Sequence, residues 1–218
     1  MSHEDKHSRG RFITLEGIEG AGKSTVIAEI EQQLHKRDIQ TLCTREPGGT
    51  GIAEAIRELV LAPREHEVLH PRAELLLVFA AREQHLVEVI RPALEAGNWV
   101  ICDRFTDASF AYQGAGRGIE TERIEALGEW IHGDLWPDLT LLLDVDVEVG
   151  LARAKKRSEP DRFEREKNAF FDRARACYNA RAQANPARFR RIDASATLPA
   201  VRAATRDAIS EFCAEIAR

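Results

Sequence analysis

Five short apolar runs punctuate the chain at wide intervals, and the stretches between them repeat their apolar positions with the spacing of a helix. Phe12-Ile13-Thr14-Leu15-Glu16 is the first run, Gln40 to Thr44 the second and Trp99-Val100-Ile101-Cys102-Asp103 the third; Leu139 to Asp144 and a shorter Phe189 to Asp193 complete the set. Each is bounded by turn residues and too short for a helix, which predicts strands. Helical spacing appears from Thr25 to Leu34, from about Ile52 to Leu61, and over Ala73 to Ala96. In the last of these Leu75, Leu76, Phe79, Leu86 and Ile90 form an apolar face, and Gly97 is placed to stop the helix. Nearly continuous apolar strands alternating with helices predict an α/β fold, with a five-stranded, mainly parallel sheet covered on both faces. Ligands of such a sheet bind beyond the C-terminal ends of its strands. Glu16, Arg45, Asp103-Arg104, Asp144 and Asp193 close the predicted strands and would meet at that crevice.

The segment after the first strand gives the crevice its chemistry. Gly17-Ile18-Glu19-Gly20-Ala21-Gly22-Lys23-Ser24 is a full match to G-x-x-x-x-G-K-[ST], placed between a strand and a helix that begins near Thr25. Glycines there let backbone N–H groups turn inward around phosphate oxygens, and the helix N-terminus adds its positive dipole end. Lys23 is expected to reach the β and γ phosphates of ATP, and Ser24 to ligate Mg²⁺. A plain glycine turn would leave the Lys-Ser pair at the helix start without a purpose. The loop in this setting predicts the fold class of a P-loop NTPase.

Composition narrows the class. A chain of 218 residues suits one domain, and its formal net charge of -5 argues against a general nucleic-acid binder. Cys43, Cys102, Cys177 and Cys213 are scattered without a C-x-x-C pair, so neither a disulfide framework nor a zinc site is expected and a reducing cytoplasm fits better. No apolar stretch approaches the roughly 18 residues that span a membrane. Met1 to Gly10 is polar and lacks an apolar signal core, which predicts a disordered tail ahead of a single domain over residues 11–218. His66 and His70 are four apart but fall in a predicted loop, where solvent exposure is expected rather than metal ligation. A guanine-reading N-K-x-D is lacking, and a motor or AAA-type ATPase would be longer, which leaves a small phosphotransferase.

Thr44-Arg45-Glu46-Pro47-Gly48-Gly49-Thr50, Phe79-Ala80-Ala81-Arg82, Asp103-Arg104-Phe105, Ala111-Tyr112-Gln113-Gly114 and Pro137-Asp138-Leu139-Thr140 follow the phosphate loop in that order. With them the chain, from about Arg11 to its C-terminus, resembles the bacterial thymidylate kinases, which implies a P-loop NTPase fold of the nucleoside monophosphate kinase type with a small lid. The resemblance implies transfer of the γ-phosphate of ATP to dTMP, giving dTDP on the way to dTTP, with Mg²⁺, in a cytoplasmic homodimer. The helical stretch at residues 73–96 is the candidate interface. Two other readings stay open: a deoxynucleoside kinase, acting on a neutral hydroxyl, and a non-catalytic ATP-binding regulator.

Phosphoryl transfer between two anions needs in-line positioning and neutralisation of charge on the migrating group. Lys23 and the loop from Gly17 to Thr25 would hold the donor. Arg45 and Arg104, at neighbouring strand ends, are suited to clamp the acceptor phosphate, a task the family gives them; surface ion pairing is the alternative. Asp103 is expected to orient Mg²⁺, with Asp144 as its rival. A carboxylate inside a phosphate loop repels phosphate, and the family uses the acid at the position of Glu19 near the acceptor sugar. Arg82, Ser109 and Gln113 match positions that contact the nucleoside, Pro47 lies in the acceptor loop, and Tyr112 would exclude a 2′-hydroxyl. Phe79 could stack on the base or be core; family members often place the ring four residues before the arginine, where this chain has Val78.

A basic run, Arg153, Lys155, Lys156, Arg157 and Arg162, surrounds Ser158-Glu159-Pro160-Asp161. Some thymidylate kinases carry an arginine inside the phosphate loop where this chain has Gly20, and in the bacterial type the charge comes from a lid. The resemblance implies a lid at about residues 153–165, with Arg153 at ATP, Arg157 or Arg162 closing over the transferred phosphate, and Phe163 beside the sugar. Asp107, Glu164 and Glu166 are expected to make only surface or local pairs.

Overall fold

A computed structural model describes residues 9–63, 66–156 and 161–217. Its elements run β1 (Phe12–Glu16), α1 (Lys23–His35), β2 (Thr41–Arg45), α2 (Gly51–Leu61) and α3 (Pro71–His85). A π-helical turn at Leu86–Ile90 joins α3 to α4 (Arg91–Glu95), and β3 (Trp99–Asp103) and α5 (Thr106–Ser109) follow. A second π-helical stretch, Phe110–Gly116, leads to α6 (Thr121–His132), β4 (Leu139–Asp144) and α7 (Val147–Ala154). The chain closes with α8 (Asn168–Ala184), β5 (Phe189–Asp193) and α9 (Leu198–Ile216).

All pairings are parallel and the strand order is β2-β3-β1-β4-β5, so the five-stranded sheet expected from the apolar runs is present. Period-two alternation divides the central strands between two cores. Ile13, Leu15 and Ile101 join a cluster with Val26, Ile30 and Phe212 from α1 and α9, whereas Phe12, Val100 and Cys102 join Leu86, Ile90 and Leu94. Register sets the strand ends level: Leu15 and Arg45 both lie opposite Asp103, and Asp144 lies opposite Asp193.

The helical stretch from Ala73 to Ala96 is continuous apart from the π-helical turn, and Gly97, at φ 83°, ends it in the left-handed conformation. The predicted tail shrinks at its C-terminal edge. Gly10 is buried and its N–H donates to Leu94 O at 2.8 Å, while Arg9 pairs with Asp138, so the fold includes these two residues. Residues 1–8 lie outside the described residues. Among the described residues no helix is long and apolar enough to cross a membrane, and no group of three or more His, Cys, Asp and Glu side chains is arranged to hold a metal ion. His70 serves α3 as its N-cap, accepting from Arg72 N–H.

Candidate active site

The phosphate loop is held by close backbone packing. Gly20 has φ 71°, and a Cβ there would lie 1.9 Å from Gly150 O in α7. The position is therefore closed to any side chain in this backbone, and a cation cannot be supplied from it. The Lys23 ammonium sits 3.4 Å from Gly17 O and 3.9 Å from Asp103 Oδ1. Burial, with the nearby Arg104 charge, pulls its pKa down. Ser24 is exposed and Thr25 half-buried in the first turn of α1, while Ile18 and Ala21 turn into the core.

The end of β3 separates two tasks. Asp103 faces Lys23, and its Oδ1 is buried without a hydrogen-bond partner among the described residues. Asp144 is fully engaged instead, by Arg175, Arg191 and Asn179, so the orphaned oxygen marks Asp103 as the acid with coordinating capacity to spare. Arg104 takes φ 72°, unusual for a residue with a Cβ, and this turn sends its side chain the other way. Its guanidinium donates to Gly17 O at 2.8 Å, Tyr178 Oη at 3.2 Å and Glu19 Oε1 at 2.9 Å, over the Tyr112 ring. Glu19 Oε2 accepts from Tyr112 Oη at 2.5 Å. The carboxylate in the loop is thus turned away from the lysine toward the arginine and tyrosine.

Beneath this pair lies Glu16, wholly buried. It accepts from Phe105 N–H at 2.8 Å and Tyr178 Oη at 2.7 Å, and burial, with the Asp107 charge, pushes its carboxyl up to about 8.

A cavity opens between Glu19, Arg104 and Tyr112 on one side and Arg82, Ser109 and Gln113 on the other; Pro47, Val78 and Phe163 also line it. Arg82 is 1% exposed and donates to Glu46 Oε2, Ser109 Oγ and Phe105 O. Of its five N–H donors, two remain for a ligand. Burial alone would raise the Glu46 carboxyl, but Arg82 and His85 hold it below its usual value. The Glu46-Pro47 peptide bond is cis.

Several expectations need correction. Phe79 is 2% exposed and packs with Leu75, Phe110 and Ile124; Val78 occupies the cavity wall in its place. The ring instead underlies the Arg82 guanidinium at 4.5 Å. Arg45 is turned to Glu54, whose oxygens it meets at 2.9 and 2.8 Å, and the cavity is lined by Arg57. Arg162 donates to Val60 O and the buried Glu74 and lines a separate hollow with Arg117 and Glu166, rather than the acceptor cavity or the phosphate loop. Arg153 donates to Ala194 O beyond β5. Arg157 and the lid tip at 158–160 lie outside the described residues. Asp107 is no surface acid: it is fully buried between Arg181 and Arg188.

Arg57, Glu46 and Glu74 were missed by sequence reasoning, and Glu16 was placed at the crevice without a role. An arginine on an amphipathic helix reads as a solvated face, and a carboxylate at a strand end carries no sign of how deeply it is buried. Only Glu46, inside T-R-E-P-G-G-T, stood within a recognised motif.

A parallel sheet in this order, a phosphate loop at its centre and a second cationic cavity across the same strand ends define a P-loop phosphotransferase of the nucleoside monophosphate kinase class. Residues 15–204 match the family model for thymidylate kinase. The chain is 58% identical over 194 residues to thymidylate kinase of Pseudomonas syringae pv. syringae, covering 89% of this chain and 92% of that one. To the Methylobacillus flagellatus thymidylate kinase it is 54% identical, with 94% and 98% covered. The crystal structure of Ehrlichia chaffeensis thymidylate kinase superposes with a TM-score of 0.73 at 30% identity, covering 94% of this chain and 98% of that one. The chain belongs to the thymidylate kinase family.

Proposed function

We propose that the chain transfers the γ-phosphoryl group of ATP to the 5′-phosphate of dTMP, releasing dTDP and ADP, with Mg²⁺. The observation that carries this reading is the division of labour at the end of β3. Asp103 is directed at Lys23 and the donor loop, while the next residue, Arg104, is directed at the cavity by its left-handed backbone.

Lys23 and the loop amides neutralise the donor phosphates, and Arg104 with Arg57 gives the acceptor phosphate two guanidinium forks. Two cations facing the acceptor suit a substrate that is already charged, which favours a monophosphate over a nucleoside. Arg82, Ser109 and Gln113 read the base, Tyr112 packs beneath the sugar, and Glu19 is in reach of the sugar hydroxyls. Phe163 covers the cavity and keeps water from the reacting phosphates. Ser24 and Asp103, whose Oδ1 has no hydrogen-bond partner among the described residues, would hold a hard cation, and such a cation would supply charge neutralisation for the donor phosphates.

An ADP-release assay with dTMP, dUMP, CMP, AMP and thymidine tests the reading. Turnover with dTMP well above the others is expected. Equal rates with CMP or AMP would remove the substrate assignment, thymidine as the best acceptor would make the chain a deoxynucleoside kinase, and tight ATP binding without dTDP formation would make it a regulator.

A homodimer is part of the same proposal. Leu76 of α3 and Val87 of the π-helical turn that follows it are 59% and 51% exposed, on the helical stretch expected as the interface. An apolar face of this kind supports self-association. Light scattering should give twice the chain mass, and Leu76→Glu should give the monomer.

A further inference from the structure

We propose that Glu74 is a positioning residue that sets the choice of pyrimidine and docks the lid onto the acceptor cavity. The inference rests on the dTMP reading and adds a residue that touches neither substrate.

Glu74, in the first turn of α3, has no exposed surface. Its Oε1 accepts from Gln113 Nε2 at 2.8 Å, and its Oε2 accepts from Arg162 Nη2 at 2.6 Å and Arg117 Nε at 3.1 Å. A buried carboxylate is costly alone, but here each oxygen is satisfied, two guanidiniums balance its charge, and loss of the carboxylate would strand all three donors.

The consequence for Gln113 is directional. A carboxylate only accepts, so the glutamine must turn its NH₂ toward Glu74 and cannot flip. Its Oε1 and second amide hydrogen are left for the cavity that Gln113 lines, an acceptor beside a donor in fixed order. Thymine presents N3–H beside the O4 carbonyl, which complements that order. Cytosine presents a bare N3 beside an amino group, the reverse pattern, and would need the flipped amide that places Oε1 against the carboxylate. Rejection of the wrong edge therefore comes from an unpaired buried polar group.

The second oxygen carries the lid. Arg162 is anchored there and on Val60 O, and both Arg162 and Arg117 lie over the Phe163 ring, 4.6 and 5.4 Å from its centroid. Phe163 in turn meets the Tyr112 ring edge-on at 5.5 Å. One carboxylate thus ties the residue that reads the base to the segment that covers it.

The test compares wild type with Glu74→Gln, Glu74→Asp, Arg162→Ala and the Glu74→Gln/Arg162→Ala double variant, using dTMP and dCMP as acceptors and thermal melting as a control for folding. Wild-type turnover of dTMP establishes the underlying reading, and its absence would be a failure of that reading alone. Glu74→Gln should lower the dTMP over dCMP ratio in kcat/KM at least tenfold, because an amide partner accepts either orientation of Gln113. Glu74→Asp, which keeps the charge, should retain most of the preference. Arg162→Ala should raise KM for dTMP more than it lowers kcat, and the double variant should be no worse than Glu74→Gln within about twofold. An unchanged ratio in a folded Glu74→Gln, or equal loss in Glu74→Asp, would overturn the proposal. If Glu74→Gln melts below the assay temperature, Arg162→Ala decides: an unchanged KM for dTMP would sink the proposal.

Discussion

Replacing Arg104 by alanine should cost the enzyme far more activity than stability. The guanidinium is 17% exposed and held by Gly17 O, Tyr178 and Glu19, so it reaches the acceptor pre-organised, and little ordering is required when substrate binds. A charge-assisted hydrogen bond is worth about 1.5–3 kcal/mol, and the fork offers a phosphate two of them. Allowing for partial replacement by water and Arg57, a loss of about 3–4 kcal/mol is expected, which is a fall of roughly 10² to 10³ in kcat/KM. Arg104→Lys keeps a charge but not the fork and should recover only part of the loss. The backbone supplies a control. Because φ is 72°, Arg104→Gly relieves about 1 kcal/mol of strain that Arg104→Ala retains, so the glycine variant should melt no lower than the alanine variant while being equally inactive. ADP release over a range of dTMP concentrations gives kcat and KM, and differential scanning calorimetry gives the melting temperature. Values of kcat and KM for Arg104→Ala within threefold of wild type would refute the assignment of this arginine to the acceptor phosphate.

Three further outcomes follow from particular contacts. Gly20→Ala places a Cβ 1.9 Å from Gly150 O at a left-handed φ and should destabilise the fold by about 2–4 kcal/mol in urea melts while raising KM for ATP; unaltered melting would show that the loop and α7 separate freely. His132 is 1% exposed, and burial pushes its imidazole down to about 4, so its contribution to stability is full above pH 6.5 and lost as pH falls toward 4. Between pH 7 and 5 wild type should therefore lose about 2 kcal/mol relative to His132→Gln, and parallel pH profiles would contradict this. Phe79→Leu should lower the melting temperature but leave KM for dTMP within about threefold, since the ring packs under Arg82 rather than facing the cavity; a tenfold rise in KM would return Phe79 to the base site.

The strands, their parallel arrangement and the donor half of the site were legible in the chain because their signals are local. An apolar run of five residues between turn residues can do little but form a buried strand, and the spacing of Gly17, Gly22, Lys23 and Ser24 carries its own geometry. The left-handed turn at Arg104 gave no such signal, because arginine carries no preference for that conformation. Nor did the two π-helical stretches, since their widened turns arise from tertiary packing and the apolar spacing still reads as ordinary helix.

By itself the sequence determined that a triphosphate is held at the centre of a parallel sheet, and its motif series pointed to thymidylate as the partner. Which side chains meet across the cavity was decided only by tertiary structure. Phe79 and Val78 differ by one helical position, about 100° of rotation, and only the packing of α3 against its neighbours chose which of them faces inward. Arg45 and Arg57 were equally basic in the chain, but the position of Glu54 turned the first outward and left the second on the wall. Glu16, Glu46 and Glu74 read as ordinary acids until burial made each one an anchor, because a carboxylate removed from water must gather donors from wherever the fold can bring them.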